Sequence, residues 1–325
     1  MRSPRADKIV RRKLADGTVR EYRYLRGLRA DTQPRQRIVA GSVDALIDAW
    51  QRSPAWADLA PATRATYSTY LRDLAAIGRQ PAAEIKRRHI IALRDAIATS
   101  RGRGAATGFV RAASAAWAWA IDSEIVETSP AARLRPLKGG ELPTWSEAAL
   151  AVALDRLPEP YRRVVLIAVH TGQRRGDLIR LPWSAWQNGV IRLRQQKTGT
   201  ALVVPVHRDL APLLAAWRRD ATATTILAAP SGRPWTAGHL TRELSSRMAA
   251  LGLGRLTLHG LRKLAAVRLA QAGASAHEIA AIGGWASLSM VQRYTKAADQ
   301  AALAGAAIVR LENAAAVGQK AKKKR

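Results

Sequence analysis

The sequence predicts a mainly α-helical protein with a small antiparallel β-sheet and a basic β-hairpin at its N-terminus. Apolar residues recur at helical spacing through most of the 325 residues. Two segments with strand character, 189–194 and 201–206, are joined by a short turn, which is typical of a hairpin. Two prolines and a Gly-Gly pair interrupt the helical pattern at residues 134–143, which indicates a linker between two helical domains.

The composition points to a polyanionic partner. The chain has 53 Lys and Arg against 24 Asp and Glu, a formal net charge of +29. Nucleic acid is the usual partner of so basic a chain, and an anionic membrane surface is the alternative. Because the sequence has neither an apolar run of about 18 residues nor a signal peptide, we expect a soluble, cytoplasmic protein that does not bind membranes. The absence of cysteine excludes disulfides, thiolate zinc sites and a cysteine nucleophile.

Residues 1–41 are predicted to form a basic N-terminal arm. They hold twelve Lys or Arg and four Asp or Glu. Residues 8–15 and 18–25 flank Asp16-Gly17, a pair suited to a type I′ turn because both central residues need positive φ. This arm is either an accessory DNA-binding element or a solvated hairpin, and the sequence leaves both readings open.

Residues 42–133 are predicted to form a bundle of four helices, each with an apolar stripe. The helices begin near Ser42, Pro61, Ala83 and Ala105. Several basic side chains around this bundle and the linker suit contacts with phosphates, although any one of them alone is more commonly just solvated. These candidate DNA-binding residues are Arg101, Arg103, Arg111, Arg133, Arg135 and Lys138.

Residues 144–313 are predicted to form a second, mostly helical domain built around the hairpin of residues 189–206. Its helices are expected to begin near residues 146, 160, 211, 236, 258, 275, 289 and 297. The last segment, 314–325, has almost nothing to bury and is predicted to be a disordered basic tail.

Candidate catalytic residues are dispersed along the second domain. Arg174 begins a new helix after a stop at Thr171-Gly172, so the fold can hold its guanidinium while it faces a ligand. Asp177 follows one turn later, where its carboxylate is expected to hold that guanidinium. Lys197 lies at the tip of the hairpin, where a titratable ammonium can donate a proton to a leaving oxygen.

The remaining candidates follow in the last third of the chain. His259 and Arg262 are three residues apart at the start of a helix, an end that favours an anion. Trp285 follows the stop at Gly283-Gly284, where its indole N–H can donate a hydrogen bond. Tyr294 carries a phenol, which needs nearby cations or a base to become a nucleophile. Each residue alone is ordinarily structural, but together they supply what phosphoryl transfer to a side chain needs without a metal.

The order of these residues resembles the tyrosine recombinase (phage integrase) family. The motifs that carry the resemblance are Thr171-Gly172-Gln173-Arg174 with Asp177, Lys197 in the hairpin, His259-x-x-Arg262, and Gly284-Trp285 followed by Tyr294. The match covers the second domain, and the preceding bundle is similar to the family's core-binding domain. The chain departs from the family in two respects. Histidine is more common where Trp285 stands, and the N-terminal hairpin is shorter than the arm-binding domain of some phage integrases.

The resemblance implies a site-specific DNA recombinase that cleaves and rejoins strands through a 3′-phosphotyrosyl intermediate. Its biological role would be integration or excision of a mobile element or phage. Tyr294 would attack the scissile phosphate and release a 5′-hydroxyl, while Arg174 and Arg262 would hold the non-bridging oxygens. Lys197 would act as the general acid. His259 would assist proton transfer at the nucleophile, and Trp285 would donate a further hydrogen bond.

The resemblance further implies double-stranded DNA as the partner, a homotetramer on DNA, and accessory DNA-bending or directionality proteins. It implies no cofactor and no metal, and a bacterial or phage-encoded protein that associates with the nucleoid when bound. Two other functions stay open. A type IB topoisomerase uses similar chemistry as a monomer, and a DNA-binding protein keeps the architecture without catalysis. An apolar stretch after Tyr294 favours recombination, because such a helix could dock on a neighbouring protomer, but packing within the chain explains the same pattern.

Overall fold

The computed structural model describes the backbone of residues 8–13, 19–24, 38–137, 139–140, 142–254 and 256–322, and side chains within these ranges at residues 38–296, 300 and 304–312. The predicted turn Asp16-Gly17 and the predicted DNA contact Lys138 lie outside the described residues. The chain divides into two units, Met1–Gly140 and Glu141–Arg325.

The first unit begins with the predicted hairpin. Strand β1 (Lys8–Lys13) pairs antiparallel with β2 (Val19–Tyr24), with Lys8 opposite Tyr24 and Lys13 opposite Val19. The two strands predicted on either side of Asp16-Gly17 are therefore present and paired.

A helical bundle follows the hairpin. Its α-helices are α1 (Val43–Arg52), α2 (Pro54–Ala57), α3 (Pro61–Leu71), α4 (Arg87–Arg101) and α5 (Arg103–Asp122), with 3₁₀ turns at Arg72–Ile77 and Ala82–Glu84. Ser42 caps α1 by accepting a hydrogen bond from the Ala45 N–H at 3.2 Å. Helix α5 forms the centre of the bundle, since Phe109 and Trp117 have no exposed surface and α5 contacts α1, α3 and α4.

Two details of the bundle differ from the prediction. The short α2 was not predicted, because a four-residue helix is too brief to show a periodic pattern. The third predicted helix begins at Arg87 rather than near Ala83, since residues 82–84 form a 3₁₀ turn that ends at the extended Ile85.

The second unit contains a three-stranded antiparallel sheet in the order β3-β4-β5. Its helices and strands are α6 (Glu147–Arg156), α7 (Glu159–Thr171), α8 (Arg175–Leu178), β3 (Trp186–Gln187), β4 (Val190–Arg194), β5 (Ala201–Pro205), α9 (Ala211–Arg219), α10 (Ala237–Ala250), α11 (Leu258–Gln271), α12 (Ala276–Gly283) and α13 (Leu288–Lys322). Strands β4 and β5 are the predicted hairpin, with Val190 opposite Pro205. The two-residue β3 was not predicted.

Helix α11 organises the core of the second unit. It contacts α7, α12 and α13. Val164 and Ile167 of α7 and Leu261 of α11 have no exposed surface, and burial of each such side chain contributes about 1.5–3 kcal/mol. A smaller cluster that includes Trp285 and Val291 seats α12 and α13 on α11, so α11 fixes the position of the chain on both sides of residue 285.

The end of the chain differs from the prediction. One helix, α13, replaces the two helices expected from residues 289 and 297, and its backbone continues to Lys322. The described backbone of residues 314–322 is thus helical where the sequence predicted a disordered tail, and residues 323–325 lie outside the described residues. No helix among the described residues has the length and apolar character needed to cross a membrane.

Candidate active site

The backbone places Arg174 at a sharp break between two helices. Gly172 ends α7 in the left-handed conformation (φ 63°), and Arg174 is the extended residue that precedes α8 (φ −70°, ψ 147°). Positive φ favours glycine, which explains the Thr171-Gly172 stop in the sequence. The half-buried side chain of Arg174 therefore leaves a fixed backbone position.

Arg174 donates hydrogen bonds to the side-chain oxygen of Gln195 and, at 3.5 Å, to the carbonyl of Gly284. The expected contact with Asp177 is absent among the described residues. Asp177 instead accepts a hydrogen bond from the backbone N–H of Gln196 at 3.0 Å. Helix α8 has only four residues, so the spacing rule for a longer helix does not apply, and Asp177 anchors the β4–β5 hairpin rather than the guanidinium.

Arg262 is a buried cation, only 2% exposed. Its Nη1 donates to the carbonyls of Gly172 at 2.7 Å and Gly283 at 2.8 Å, and its Nη2 has no partner among the described residues. Burial, followed by the positive charge of Arg174, lowers the pKa of Arg262 to about 10, so the group still carries its charge at neutral pH. Its Cζ lies 4.1 Å from the centroid of the Trp285 ring, a cation–π contact that offsets part of the lost hydration.

The two guanidiniums converge on one turn between α12 and α13. Arg262 bonds the carbonyl of Gly283, and Arg174 bonds the carbonyl of Gly284. Both positions require glycine, because a Cβ at Gly283 would overlap the Trp285 ring and Gly284 has φ +69°. A cavity of about 430 Å³ is lined by both arginines together with His259.

Two buried glutamines hold this arrangement together. The Gln195 amide nitrogen donates to the side-chain oxygen of Gln173 at 2.9 Å and to the carbonyl of Gly283 at 2.7 Å. Gln173 in turn donates to the carbonyls of Thr171 at 3.0 Å and Ile282 at 2.8 Å. The glutamines thereby tie the α7–α8 break, the hairpin and the α12–α13 turn to one another, and neither was predicted to have a role.

His259 stands at the first turn of α11, where Thr257 caps the helix through the Gly260 N–H at 3.3 Å. Loss of hydration lowers the pKa of His259 below its ordinary value, and nearby positive charges lower it further. These charges belong, in decreasing order of effect, to Lys263, Arg262, Arg174 and Lys197. His259 is therefore neutral at pH 7 and able to accept a proton.

Lys197 is exposed in the β4–β5 turn, as predicted from the hairpin. Its positive charge is among those that lower the pKa of His259. An exposed ammonium on a turn is free to reorient toward a ligand, unlike the two arginines, which hydrogen bonds hold in place.

Tyr294 lies on the second turn of α13 with its side chain half-buried. Its ring centroid is 6.2 Å from that of His259, in an edge-on arrangement, and 6.3 Å from that of Trp285. Trp285 is 6% exposed, and its indole nitrogen has no hydrogen-bond partner among the described residues. The structure thus brings Arg174, His259, Arg262, Trp285 and Tyr294 into one neighbourhood. Lys197 lies two residues after Gln195, which bonds Arg174.

The candidate DNA-binding residues belong to the first unit. The five that the structure describes have exposed side chains. They are Arg101, Arg103, Arg111, Arg133 and Arg135. Arg101 forms an ion pair with Asp73 and lies 6.0 Å from the Tyr70 ring, so its guanidinium is already oriented by neighbours. The contact of these five residues with DNA stays a prediction.

Within the described residues, no group of three His, Asp or Glu side chains is arranged to hold a metal ion.

Residues 146–301 match the family model of the phage integrase family. The integrase of Escherichia phage HK022 is 26% identical over 223 residues, which are 63% of this chain and 62% of that protein. The integrase of Escherichia phage lambda is 30% identical over 125 residues, 35% of each chain. The chain thus matches less than two thirds of the length of these curated relatives.

Solved structures share the fold. A lambda integrase dimer bound to a COC′ core site gives a TM-score of 0.68 at 23% identity, covering 77% of this chain and 97% of that chain. The Tn1549 transposon integrase in complex with circular intermediate DNA gives 0.63 at 17% identity, covering 78% and 94%. The solved structures share the fold, and the matched residues, 146–301, include every candidate catalytic position, so the second unit of this chain carries a domain of the phage integrase family.

Proposed function

We propose that this protein is a site-specific DNA recombinase, which cleaves and rejoins strands through a 3′-phosphotyrosyl intermediate to integrate or excise a mobile element or phage. One observation carries the proposal. Arg174 and Arg262 bond the carbonyls of adjacent glycines and line one cavity with His259, whose ring centroid is 6.2 Å from that of Tyr294. Two preorganised cations next to a nucleophile fit a single phosphodiester.

Cleavage follows from the positions of the side chains. The Tyr294 oxygen forms a bond to phosphorus, the bond from phosphorus to the 5′-oxygen breaks, and the phenol proton passes to neutral His259. Lys197 gives its proton to the leaving 5′-oxygen. Since one phosphoester replaces another, no external energy source is needed, and attack by a 5′-hydroxyl reverses the same steps to rejoin the strand.

The two arginines stabilise the charge that develops at phosphorus. Nη1 of Arg262 is occupied by backbone carbonyls, which leaves Nη2, without a partner among the described residues, to meet a phosphate oxygen. A buried donor that needs no reorientation is most effective in the transition state, where loss of one such donor costs about 3–4 kcal/mol. The Trp285 ring packs against the Arg262 guanidinium, and its indole N–H, which has no partner among the described residues, can donate to the same phosphate.

Double-stranded DNA and a tetrameric assembly are part of the proposal. The net charge of +29 suits a polyanion, and a lambda integrase tetramer bound to a Holliday junction shares the fold at TM-score 0.68. We infer that residues 42–133 form a core-binding domain that contacts DNA, that 144–313 form the catalytic domain, and that 1–41 form an accessory arm. Accessory DNA-bending or directionality proteins and nucleoid association belong to the same inference.

A type IB topoisomerase remains the alternative enzyme. Exposed apolar side chains on α13 favour the recombinase, because a stripe past the nucleophile suits contact with another protomer. These side chains are Ile308, Val309 and Leu311, each at least 54% exposed. A recombinase joins strands from two duplexes, whereas a topoisomerase relaxes supercoils in one.

A nicked suicide duplex tests the proposal. We expect the wild-type protein to form a covalent adduct with the 3′ end of the cleaved strand, and Tyr294→Phe to bind the same DNA without forming an adduct. An adduct that survives Tyr294→Phe would place the nucleophile elsewhere. Relaxation of a supercoiled plasmid without exchange between two duplexes would support the topoisomerase instead.

A further inference from the structure

Arg175 is a third arginine at the cavity of the candidate active site, and the proposed steps do not use it. It follows Arg174 at the start of α8, and its side chain is exposed. The cavity of about 430 Å³ is lined by Arg175 and by Thr241 and Ser245 of α10, in addition to the candidate catalytic residues already described. Volumes of this size commonly hold a whole small molecule, so the cavity has room for more than one phosphate group.

The Arg175 guanidinium is oriented by a short chain of hydrogen bonds to α10. Its Nη1 donates to the side-chain oxygen of Thr241, and the Thr241 hydroxyl donates to the carbonyl of Ala237 at 2.9 Å. Because the hydroxyl gives its single proton to Ala237, it can only accept from Arg175. Thr241 therefore holds the guanidinium in place without neutralising its charge.

The two consecutive arginines are anchored to different elements around the same cavity. Arg174 donates to Gln195 of the β4–β5 hairpin. Arg175 donates instead to Thr241 of α10. One phosphodiester has only two non-bridging oxygens, which the proposed steps assign to Arg174 and Arg262. The next anion along the strand is the neighbouring phosphate, since each nucleotide carries one negative charge.

The surroundings of Arg175 suit an anion. Among the described residues, Arg175 bonds a neutral hydroxyl and forms no ion pair with a carboxylate, whereas Arg268, for example, pairs with Glu147. None of the described residues that line the cavity is Asp or Glu. The planar guanidinium has further N–H donors in a fixed geometry that matches phosphate oxygens. The charge of Arg175 is therefore available to a ligand.

We propose that Arg175, oriented by Thr241, binds the phosphate next to the scissile phosphate on the cleaved strand. The inference rests on the proposed function and extends it, because the active-site cavity then holds two consecutive phosphates. Contacts to phosphates fix the register of a protein on DNA. With the neighbouring phosphate held, the scissile phosphate lies between Arg174 and Arg262 in the position that Tyr294 attacks.

Neutral methylphosphonates identify the phosphate that Arg175 contacts. A duplex that carries the cleavage site is made with one phosphate at a time replaced, namely the scissile phosphate, each of its two neighbours on the cleaved strand, or a distant one. Every protein carries Tyr294→Phe, so that cleavage does not disturb the measurement, and the reference protein has no further change. Affinity for each duplex is then measured over a range of salt concentrations.

Four variants separate the charge from its support. Arg175→Gln removes the charge of an exposed side chain. Thr241→Val removes the hydroxyl that orients Arg175, and Thr241→Ser keeps a hydroxyl. Arg219→Gln removes one charge from the exposed end of α9 and is the matched control for net charge.

We expect Arg175→Gln to bind the unmodified duplex about tenfold more weakly than the reference protein. The slope of log affinity against log salt should become shallower by about 0.9, the value for one phosphate contact. A methylphosphonate at one of the two neighbouring positions should weaken binding of the reference protein to a similar extent and have little further effect in Arg175→Gln. Thr241→Val should lose about threefold in affinity, while Thr241→Ser and Arg219→Gln keep the reference affinity and slope.

Three outcomes would overturn the inference while leaving the proposed function intact. The first is an unchanged salt slope in Arg175→Gln. The second is a set of losses that add fully at both neighbouring phosphates, as an indirect structural effect would produce. The third is coupling confined to the scissile phosphate, because Arg175 would then share the phosphate of Arg174 and Arg262.

Failure of the proposed function gives a different result. In that case the protein with Tyr294 intact forms no adduct on a suicide duplex. A shallower salt slope in Arg175→Gln would then still show that Arg175 contacts a phosphate, and an unchanged slope would overturn that contact as well.

Discussion

Replacing Gln195 with leucine removes the link that joins three segments of the site without changing side-chain volume greatly. Gln195 is fully buried, accepts hydrogen bonds from Arg174 and Thr198, and donates to Gln173 and Gly283. Leucine can make none of these bonds. The variant therefore tests whether the guanidinium of Arg174 depends on the hairpin for its position.

The magnitude follows from the groups left without partners. The Gly283 carbonyl keeps its bond from Arg262, but the Gln173 oxygen loses the donor described for it. One such buried group costs about 1–3 kcal/mol, and weaker fixing of Arg174 adds to this. We expect the free energy of unfolding to fall by about 2–4 kcal/mol, and adduct formation to slow by about 10–100-fold, or about 1.4–2.7 kcal/mol.

The neighbouring glutamine supplies the control. The Gln196 side chain is exposed and accepts a bond from Arg180, so Gln196→Leu should change the free energy of unfolding by no more than about 0.5 kcal/mol. Urea denaturation gives the stabilities, and single-turnover cleavage of a suicide duplex gives the rates. If Gln195→Leu matches Gln196→Leu in both measurements, the amide network does not position Arg174 and the reasoning is refuted.

Three further predictions follow from the same geometry. Arg262→Lys keeps a positive charge, but a lysine cannot bond the carbonyls of Gly172 and Gly283 and also offer a donor to a phosphate. Adduct formation should therefore fall about 10²–10³-fold. A rate near wild type would show that charge alone suffices. Gly283→Ala should destabilise the protein by about 1–3 kcal/mol, because its Cβ overlaps the Trp285 ring, and an unchanged melting temperature would contradict that contact. The folded state holds the pKa of His259 below its unfolded value, so unfolding takes up a proton below about pH 6.5 and the free energy of unfolding should fall on acidification. His259→Gln should flatten this fall when stability is measured by denaturant titration at each pH. An unaltered dependence of stability on pH in the variant would refute the prediction.

Local signals in the sequence were sufficient for the residues that stand at helix ends. The Thr171-Gly172 stop predicts the fixed position of Arg174, and the structure has a left-handed Gly172 and, two residues later, an extended Arg174. The placement of His259 at a helix start follows from the same kind of signal, since Thr257 caps α11. Such features depend on a few consecutive residues, which a pattern can show.

Long-range partners were beyond the sequence. Gln195 bonds Gln173 and Gly283, which lie 22 and 88 positions away, and nothing in a single sequence indicates that these three meet. The expected pairing of Asp177 with Arg174 was wrong for a related reason. The Asp177 carboxylate accepts a hydrogen bond from the backbone N–H of Gln196, 19 positions away in the hairpin, rather than from Arg174, as helical spacing suggested.

A structure of Tyr294→Phe bound to its DNA tests most directly whether the two arginines share one phosphate. We expect the scissile phosphate to lie within hydrogen-bond distance of the guanidiniums of both Arg174 and Arg262, with the residue 294 ring facing the phosphorus. A phosphate that contacts only one of the two arginines, or a ring turned away from the phosphorus, would contradict the account.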